Sequence, residues 1–399
     1  MLSLDAMRGV AALVVVVYHA LGVAPQTAFT GWQWWLPTLA AWVVHFGYAG
    51  IFMFFVISGF CIHLHWARAR AAGIEQPTID FYAFWKRRVR RLYPPYLAAL
   101  VLYLGYNAYQ TPPDLSAYYL WDLGLHLLML HNVDMRTTYS INAAFWTLAI
   151  EEQLYLAYFL LLYLRIRYGW VRTLLVCAAA RAGWLIMGRA IGYFFGLTIP
   201  VTEAAATNWF IWALGALSVE AALGVVRLPE WCYRWWAGTA ALLLAMGLAE
   251  GLPYVDHLVW VHDAGWLLMH PAWGVGFFVM VNAAVRAEEA RRGELSRRAA
   301  RLLAGLAGLG LISYSLYLTH LFVLMQWYWF GFTEFHIRTI ALVLMTPLSV
   351  LFAWLFFRLF ERPFMMASVG MGASRQRTRA PGEQISQTPP EQVSDPAAV

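Results

Sequence analysis

The sequence predicts an all-α fold, a polytopic integral membrane bundle of about ten transmembrane helices, and three observations predict it. Of 399 residues, 61% are hydrophobic and only 13% are charged, against about 25% charged in soluble globular proteins. Apolar runs of roughly 20 residues recur along the chain, the length an α-helix needs to cross a bilayer. Within those runs the pattern is continuous, as in Ala11-Ala12-Leu13-Val14-Val15-Val16-Val17. A transmembrane β-strand would alternate apolar and polar at every second residue.

The ten expected spans lie near 8–24, 39–65, 94–110, 144–164, 172–197, 208–226, 235–252, 258–284, 302–328 and 338–360. The apolar segment 117–131 is short and suits a partial or interfacial helix. The first 25 residues read as a span rather than a signal peptide, because the apolar run continues through Tyr18 and His19 with no clean small-residue cleavage site.

Charge placement orients the bundle. With ten spans, the arginine-rich connections 66–93 and 285–301 fall on one side, together with Arg165, Arg167, Arg172, Arg227 and Arg234. The connections 25–38, 250–257 and 329–337 on the other side hold no Lys or Arg, and Trp32, Trp34, Trp35, Trp327 and Trp329 stand near the ends of two of them as an aromatic belt would. The basic side is then cytoplasmic, both termini with it, and the expected location is the cytoplasmic (inner) membrane. The net charge of +6 reads as topology, not as nucleic-acid binding. The expected domains are a membrane domain, 1–368, and a polar tail, 369–399, too rich in Arg, Gln, Pro, Ser and Glu to bury a core.

Ionisable residues inside spans are costly and point to function. Arg8 and His19 are 11 residues apart, about 20° beyond three full helical turns and about 16 Å along the axis. One face of the first span thus joins an anion-binding guanidinium at the cytoplasmic mouth to a titratable imidazole in the outer half. The fourth span begins at Trp146 and places Glu151 near the depth of His19, where a carboxylate would orient the imidazole. Glu151 and Glu152 point about 100° apart, so one of them faces such a site. The competing expectation pairs a glutamate with Arg181 or Arg189. His320 falls in the outer half of the ninth span. Lys86-Arg87-Arg88-Val89-Arg90-Arg91 is topogenic, attracts anionic lipid, or holds phosphates. Three scattered cysteines and the dispersed histidines form neither a disulfide frame nor a metal-ligand motif.

These segments together resemble the acyltransferase 3 family, bacterial membrane O-acyltransferases of the O-antigen and exopolysaccharide acetylase type. The resemblance runs from residue 2 to 364 through Arg8-(ten residues)-His19, Phe54-Phe55-Val56-Ile57-Ser58-Gly59-Phe60, Arg88-Val89-Arg90-Arg91-Leu92-Tyr93-Pro94, Phe145-Trp146-Thr147-Leu148-Ala149-Ile150-Glu151-Glu152-Gln153, Ser313-Tyr314-Ser315-Leu316-Tyr317-Leu318-Thr319-His320 and Glu361-Arg362-Pro363. Thr147 stands where the family usually has serine.

The resemblance implies an acyl-CoA donor, commonly acetyl-CoA, and a carbohydrate acceptor outside the membrane, such as a surface or exported polysaccharide or lipopolysaccharide. It implies that Arg8, Arg88 and Arg91 contact the phosphates of the donor. His19 is then general base or acyl-carrying nucleophile, with Glu151 beside it. Tyr314, Ser315, His320 and Trp146 are candidates for the oxyanion and substrate contacts. No metal is needed for an already activated thioester. Acylation of a lipid or small-molecule glycoside is the alternative within enzymes. A proton-coupled solute transporter is the alternative outside them.

Overall fold

The computed structural model describes residues 1–22, 45–111, 116–255, 257–290, 296–326 and 344–365. The expected outer connections 25–38 and 329–337, the five tryptophans of the aromatic belt and the tail 369–399 lie outside the described residues. Helix α1 covers Leu2–Gly22. A 3₁₀ turn, Phe46–Ala49, leads into α2, Gly50–Ala71. Then follow α3, Phe81–Gln110, the short α4, Ala117–Leu127, and α5, Met135–Thr138. The long α6, Trp146–Phe195, precedes α7, Ala205–Ala222, α8, Trp235–Gly251, and α9, Val259–Ala290. The last helices are α10, Arg297–Leu311, α11, Ser313–Met325, and α12, Thr346–Phe356, which winds on as a π-turn over Phe357–Glu361. No strand occurs among the described residues.

Among the described residues, five helices are long and apolar enough to cross a membrane: α1, α2 with its 3₁₀ turn, α6, α8 and α9. The α10–α11 pair, bent by 70°, makes a sixth if counted as one broken span. The expected number of ten is therefore not reached by this criterion. The shortfall has local causes. The expected spans 144–164 and 172–197 run together in α6, interrupted at Gly169, whose φ of 74° and ψ of 173° are nearly closed to residues with a Cβ. The expected span 94–110 is the back half of α3, behind Pro94 and Pro95. The span near 208–226 is α7, which carries Asn208 and Glu220. Half of the span near 338–360 lies outside the described residues.

Backbone-to-backbone contact sets how the helices meet. A Cβ on Gly9 would lie 2.1 Å from the Leu306 carbonyl oxygen, and one on Gly310 only 1.8 Å from that of Asp5, so α1 and α10 touch without side chains between them. Gly59 on α2 and Gly215 on α7 do the same, with clearances of 2.0 Å to Trp212 O and 1.9 Å to Val56 O. Small residues at helix crossings are how membrane helices gain van der Waals contact where lipid offers no hydrophobic drive.

One buried carboxylate gathers several partners. The Glu220 carboxylate of α7 accepts from His63 at 2.9 Å, from Arg165 at 2.7 Å and from the Trp170 indole at 2.9 Å. Arg181 is buried, and among the described residues its hydrogen-bond partners are carbonyls and His270, not a glutamate. Pro271 in α9 lacks the N–H that would bond the carbonyl of Leu267, four residues before it. Arg181 Nε donates to that carbonyl at 3.2 Å, and its other nitrogens to Trp266 O and Thr207 O. Arg189 pairs with Asp263.

The basic connections converge on one end of the bundle. Backbone N–H groups of Leu2 and Ser3 donate to Glu288 at the end of α9, and Arg286 donates to Glu230 between α7 and α8 at 3.0 Å.

Candidate active site

The same end holds a cavity of about 570 Å³ between α1, α2, α3, α6, α10, α11 and the turn after α12. That is within the range of small-molecule pockets, roughly 300–1,000 Å³. Each wall follows from helical spacing. Asp5 and Arg8, one turn apart on α1, both face the cavity, and Arg8 Nη1 donates to Asp5 Oδ1 at 3.2 Å. Arg8 Nη2 also reaches the Cys61 thiol of α2 at 3.5 Å.

On α3, Arg88 and Arg91 are three residues apart and project into the cavity, while Lys86, Arg87 and Arg90 between and before them are exposed. Arg88 stacks against the Phe84 and Tyr155 rings at 5.4 and 5.8 Å, and its buried Nε has no hydrogen-bond partner among the described residues.

From α6, Thr147, Leu148, Glu151 and Tyr155 line the cavity. Glu152, about 100° away around the helix, is buried elsewhere, with Oε1 unpartnered among the described residues.

The structure redirects Glu151. The sequence reading set it beside His19; its Oε1 instead accepts from Ser58 Oγ at 2.5 Å, and the Trp212 indole donates to the same hydroxyl at 3.3 Å. Ser58 and Tyr317 are cavity residues that sequence reasoning did not assign a role. Ser58 sits inside the quoted motif of the second span, and Tyr317 lies one turn from both Tyr314 and His320. Tyr317 forms the inner wall. Its hydroxyl donates to Ala144 O at 2.7 Å and accepts from Thr147 at 2.6 Å, and its ring meets Phe54 edge-on.

The other candidate residues divide. The Tyr314 side chain lines the cavity, with its hydroxyl donated to Leu92 O at 2.9 Å. Ser315 is buried and donates to Glu361 at 2.6 Å, which ties α11 to the turn after α12. Trp146 packs against Tyr139, away from the cavity lining.

His19 and His320 are not among the residues that line the cavity. The His320 ring is 5.8 Å from the Tyr317 ring and 5.0 Å from the His19 ring, and His320 Nε2 is 3.2 Å from His19 Nδ1. Tyr317 of the cavity lining thus stands next to an imidazole pair. Among the described residues no group of three His, Cys, Asp or Glu side chains is placed to hold a metal ion.

The described residues thus form a helical membrane bundle with an arginine-lined cavity at its basic end and an imidazole pair near that cavity, an arrangement suited to group transfer. The chain belongs to the acyltransferase 3 family: residues 1–358 match the family's acyltransferase domain.

It is similar to the peptidoglycan O-acetyltransferase OatA of Listeria monocytogenes, at 27% identity over 189 residues, covering 43% of this chain and 25% of the relative. It is also similar to the O-acetyltransferase OatA of Staphylococcus aureus, at 26% identity over 164 residues, covering 39% of this chain and 24% of the relative. The acyltransferase MdmB of Streptomyces mycarofaciens is 27% identical over 263 residues, 63% of this chain and 64% of the relative. The chain therefore spans about a quarter of the length of the OatA proteins it matches. No solved structure matches it.

Proposed function

We propose that the protein is an O-acyltransferase of the cytoplasmic membrane, with its termini in the cytoplasm. It moves an acyl group, most simply acetyl, from acyl-CoA to a hydroxyl of a surface or exported glycan. The observation that carries this reading is the cavity with Arg8, Arg88 and Arg91 in its wall, one of them with a buried donor nitrogen that has no hydrogen-bond partner among the described residues. Guanidinium groups match phosphate oxygens with paired, charge-assisted hydrogen bonds. A 3′,5′-phosphorylated nucleotide such as coenzyme A brings several such oxygens. Glu151, steadied by Ser58, balances the positive wall along the path that the pantetheine arm would take.

The acyl carbonyl then lies toward Tyr317 and His19. His19 takes the proton of the acceptor hydroxyl while that oxygen bonds to the carbonyl carbon. The carbon–sulfur bond breaks, and the departing thiolate takes the proton from the imidazolium. The products are the ester and free coenzyme A. Imidazole suits both transfers because its unperturbed pKa is near 6.5. The peptidoglycan named for the Listeria relative is a carbohydrate polymer outside the membrane, which favours a glycan over a lipid or a small glycoside as acceptor here.

The test is base-labile acetyl on the surface polysaccharide, measured by NMR before and after mild alkali. Cells lacking the protein are compared with cells carrying it as wild type or as His19→Ala at matched membrane levels. Wild type restores the signal and His19→Ala does not. Full restoration by His19→Ala removes His19 from the mechanism. Identical spectra in all strains remove that acceptor, and a transporter is then tested by solute flux without thioester cleavage.

A further inference from the structure

The carbonyl groups around the two histidines decide which ring nitrogen carries each proton. His320 Nδ1 lies 2.8 Å from Tyr317 O and 3.1 Å from Leu316 O, the carbonyls of the turn that precedes it in α11. A carbonyl only accepts, so this nitrogen carries the hydrogen. In the neutral ring Nε2 is then a bare acceptor. It faces His19 Nδ1 at 3.2 Å, and that nitrogen also lies 3.0 Å from Val15 O. Both neighbours of His19 Nδ1 accept, so it too carries its hydrogen. The proton order runs one way, from His19 to His320 to the backbone of α11, and it leaves His19 Nε2 without a hydrogen, its lone pair able to accept one.

We propose that His320 is the positioning residue of this site: an imidazole, where many hydrolases use a carboxylate, that holds His19 in the Nδ1–H tautomer and accepts from its imidazolium during transfer. The proposal rests on the reading of His19 as the base. It is separable from that reading, because tautomers exist in the resting protein whether or not it transfers acyl groups.

A carboxylate in this position would bring a full charge into the bundle, where each ion is expensive. A neutral imidazole supplies the acceptor without that cost, and its own hydrogen is satisfied by helix carbonyls. His320 is fully buried, which prevents water from competing for Nε2. The titratable groups facing the pair among the described residues are Tyr18, edge-on to His19 at 5.2 Å, and Tyr317. Among the described residues no carboxylate is hydrogen-bonded to either ring.

Solid-state NMR on protein labelled with nitrogen-15 histidine in lipid, assigned with His19→Gln and His320→Gln, reads the tautomers directly. The expected result is Nδ1–H at both residues, with a coupling between His19 Nδ1 and His320 Nε2 across the hydrogen bond. An Nε2–H tautomer at either residue overturns the proposal. The kinetic arm compares His320→Gln, whose amide oxygen can replace the Nε2 acceptor, with His320→Ala. His320→Ala lowers kcat about 10–100-fold, the range of one hydrogen bond to a charged group, with KM for acyl-CoA unchanged. It also moves the acid limb of the pH–rate profile about one unit down, because the imidazolium has lost its acceptor. His320→Gln keeps the limb near its wild-type position. Equal losses for both variants with no movement of the limb reduce His320 to packing and overturn the proposal. Wild-type tautomers as expected, with an inactive protein in every acyl-transfer assay, would sink the function and leave the proton order standing.

Discussion

The closest approach in the bundle makes a quantitative prediction about Gly310→Ala. A methyl at Gly310 would sit 1.8 Å from Asp5 O, 2.7 Å from Asp5 C and 3.2 Å from Asp5 Cα, all backbone atoms with no rotamer to escape into. Ordinary contact begins at 3.4 Å, so α1 and α10 must part by roughly 1.6 Å at this point (3.4 − 1.8). Forced overpacking costs about 1–3 kcal/mol. At about 2–4 °C per kcal/mol for domains of 150–250 residues, the central expectation is a fall of roughly 5 °C in Tm.

The same movement carries Asp5 and Arg8 away from the cavity they line, so binding of acyl-CoA should weaken with stability. Gly305→Ala, on the same helix, is the control. Its methyl meets nothing within 4 Å, and alanine gains about 0.5–1 kcal/mol over glycine in a helix. Thermal unfolding in detergent can be followed with a thiol-reactive dye: exposed Cys61 is blocked first with an alkylating reagent in the folded protein, and buried Cys177 and Cys232 then react as the bundle opens. If Gly310→Ala melts with the wild type and binds acyl-CoA as tightly, the close packing of α1 on α10 is not what positions Arg8.

Three further outcomes follow from other parts of the molecule. Glu220→Ala leaves the Arg165 guanidinium and the His63 imidazole without their shared carboxylate, and the same melt should register about 3–5 kcal/mol of lost stability; Glu220→Gln should lose less. Arg88→Ala and Arg91→Ala should each raise the Kd for acyl-CoA about 10–100-fold, the range of a charge-assisted hydrogen bond, while exposed Arg87→Ala should leave it near wild type in the same equilibrium-binding assay. His131 lies in the 3₁₀ turn between α4 and α5, outside the spanning helices. Burial first, and then its stacked neighbour His126, push its pKa down to about 3. The unfolded imidazole takes its proton near pH 6.5, before the folded one does. Stability is therefore complete above pH 6.5 and declines as pH falls from there toward 3, by about 2 kcal/mol at pH 5. His131→Phe should flatten that slope in melts between pH 5 and 7.

Much of the architecture is legible in the sequence because hydropathy and charge add up over chain neighbours. The long apolar runs read as helices, and helices stand there wherever those runs fall on described residues. Arg8 and the Arg88–Arg91 pair could be picked out because a guanidinium in or beside an apolar run is costly and rare, and their spacing alone places Arg88 and Arg91 on one helical face. The number of crossings was less legible. A proline pair, polar residues inside α7 and a kink at Gly169 alter length and direction without altering average composition.

What only the tertiary structure decided is who meets whom. Glu151 faces Ser58 rather than His19, because the approach of α2 to α7 at Gly59 and Gly215 brings the Ser58 hydroxyl and the Trp212 indole together beside α6. The partner of His19 is His320, 301 residues away in sequence. Helical periodicity relates residues within one element, and the distance between two elements depends on the backbone contact that sets their crossing. The sequence by itself determined the class of protein and which side chains bear the charge. The crossings of α1 with α10 and α11 decided which of them meet.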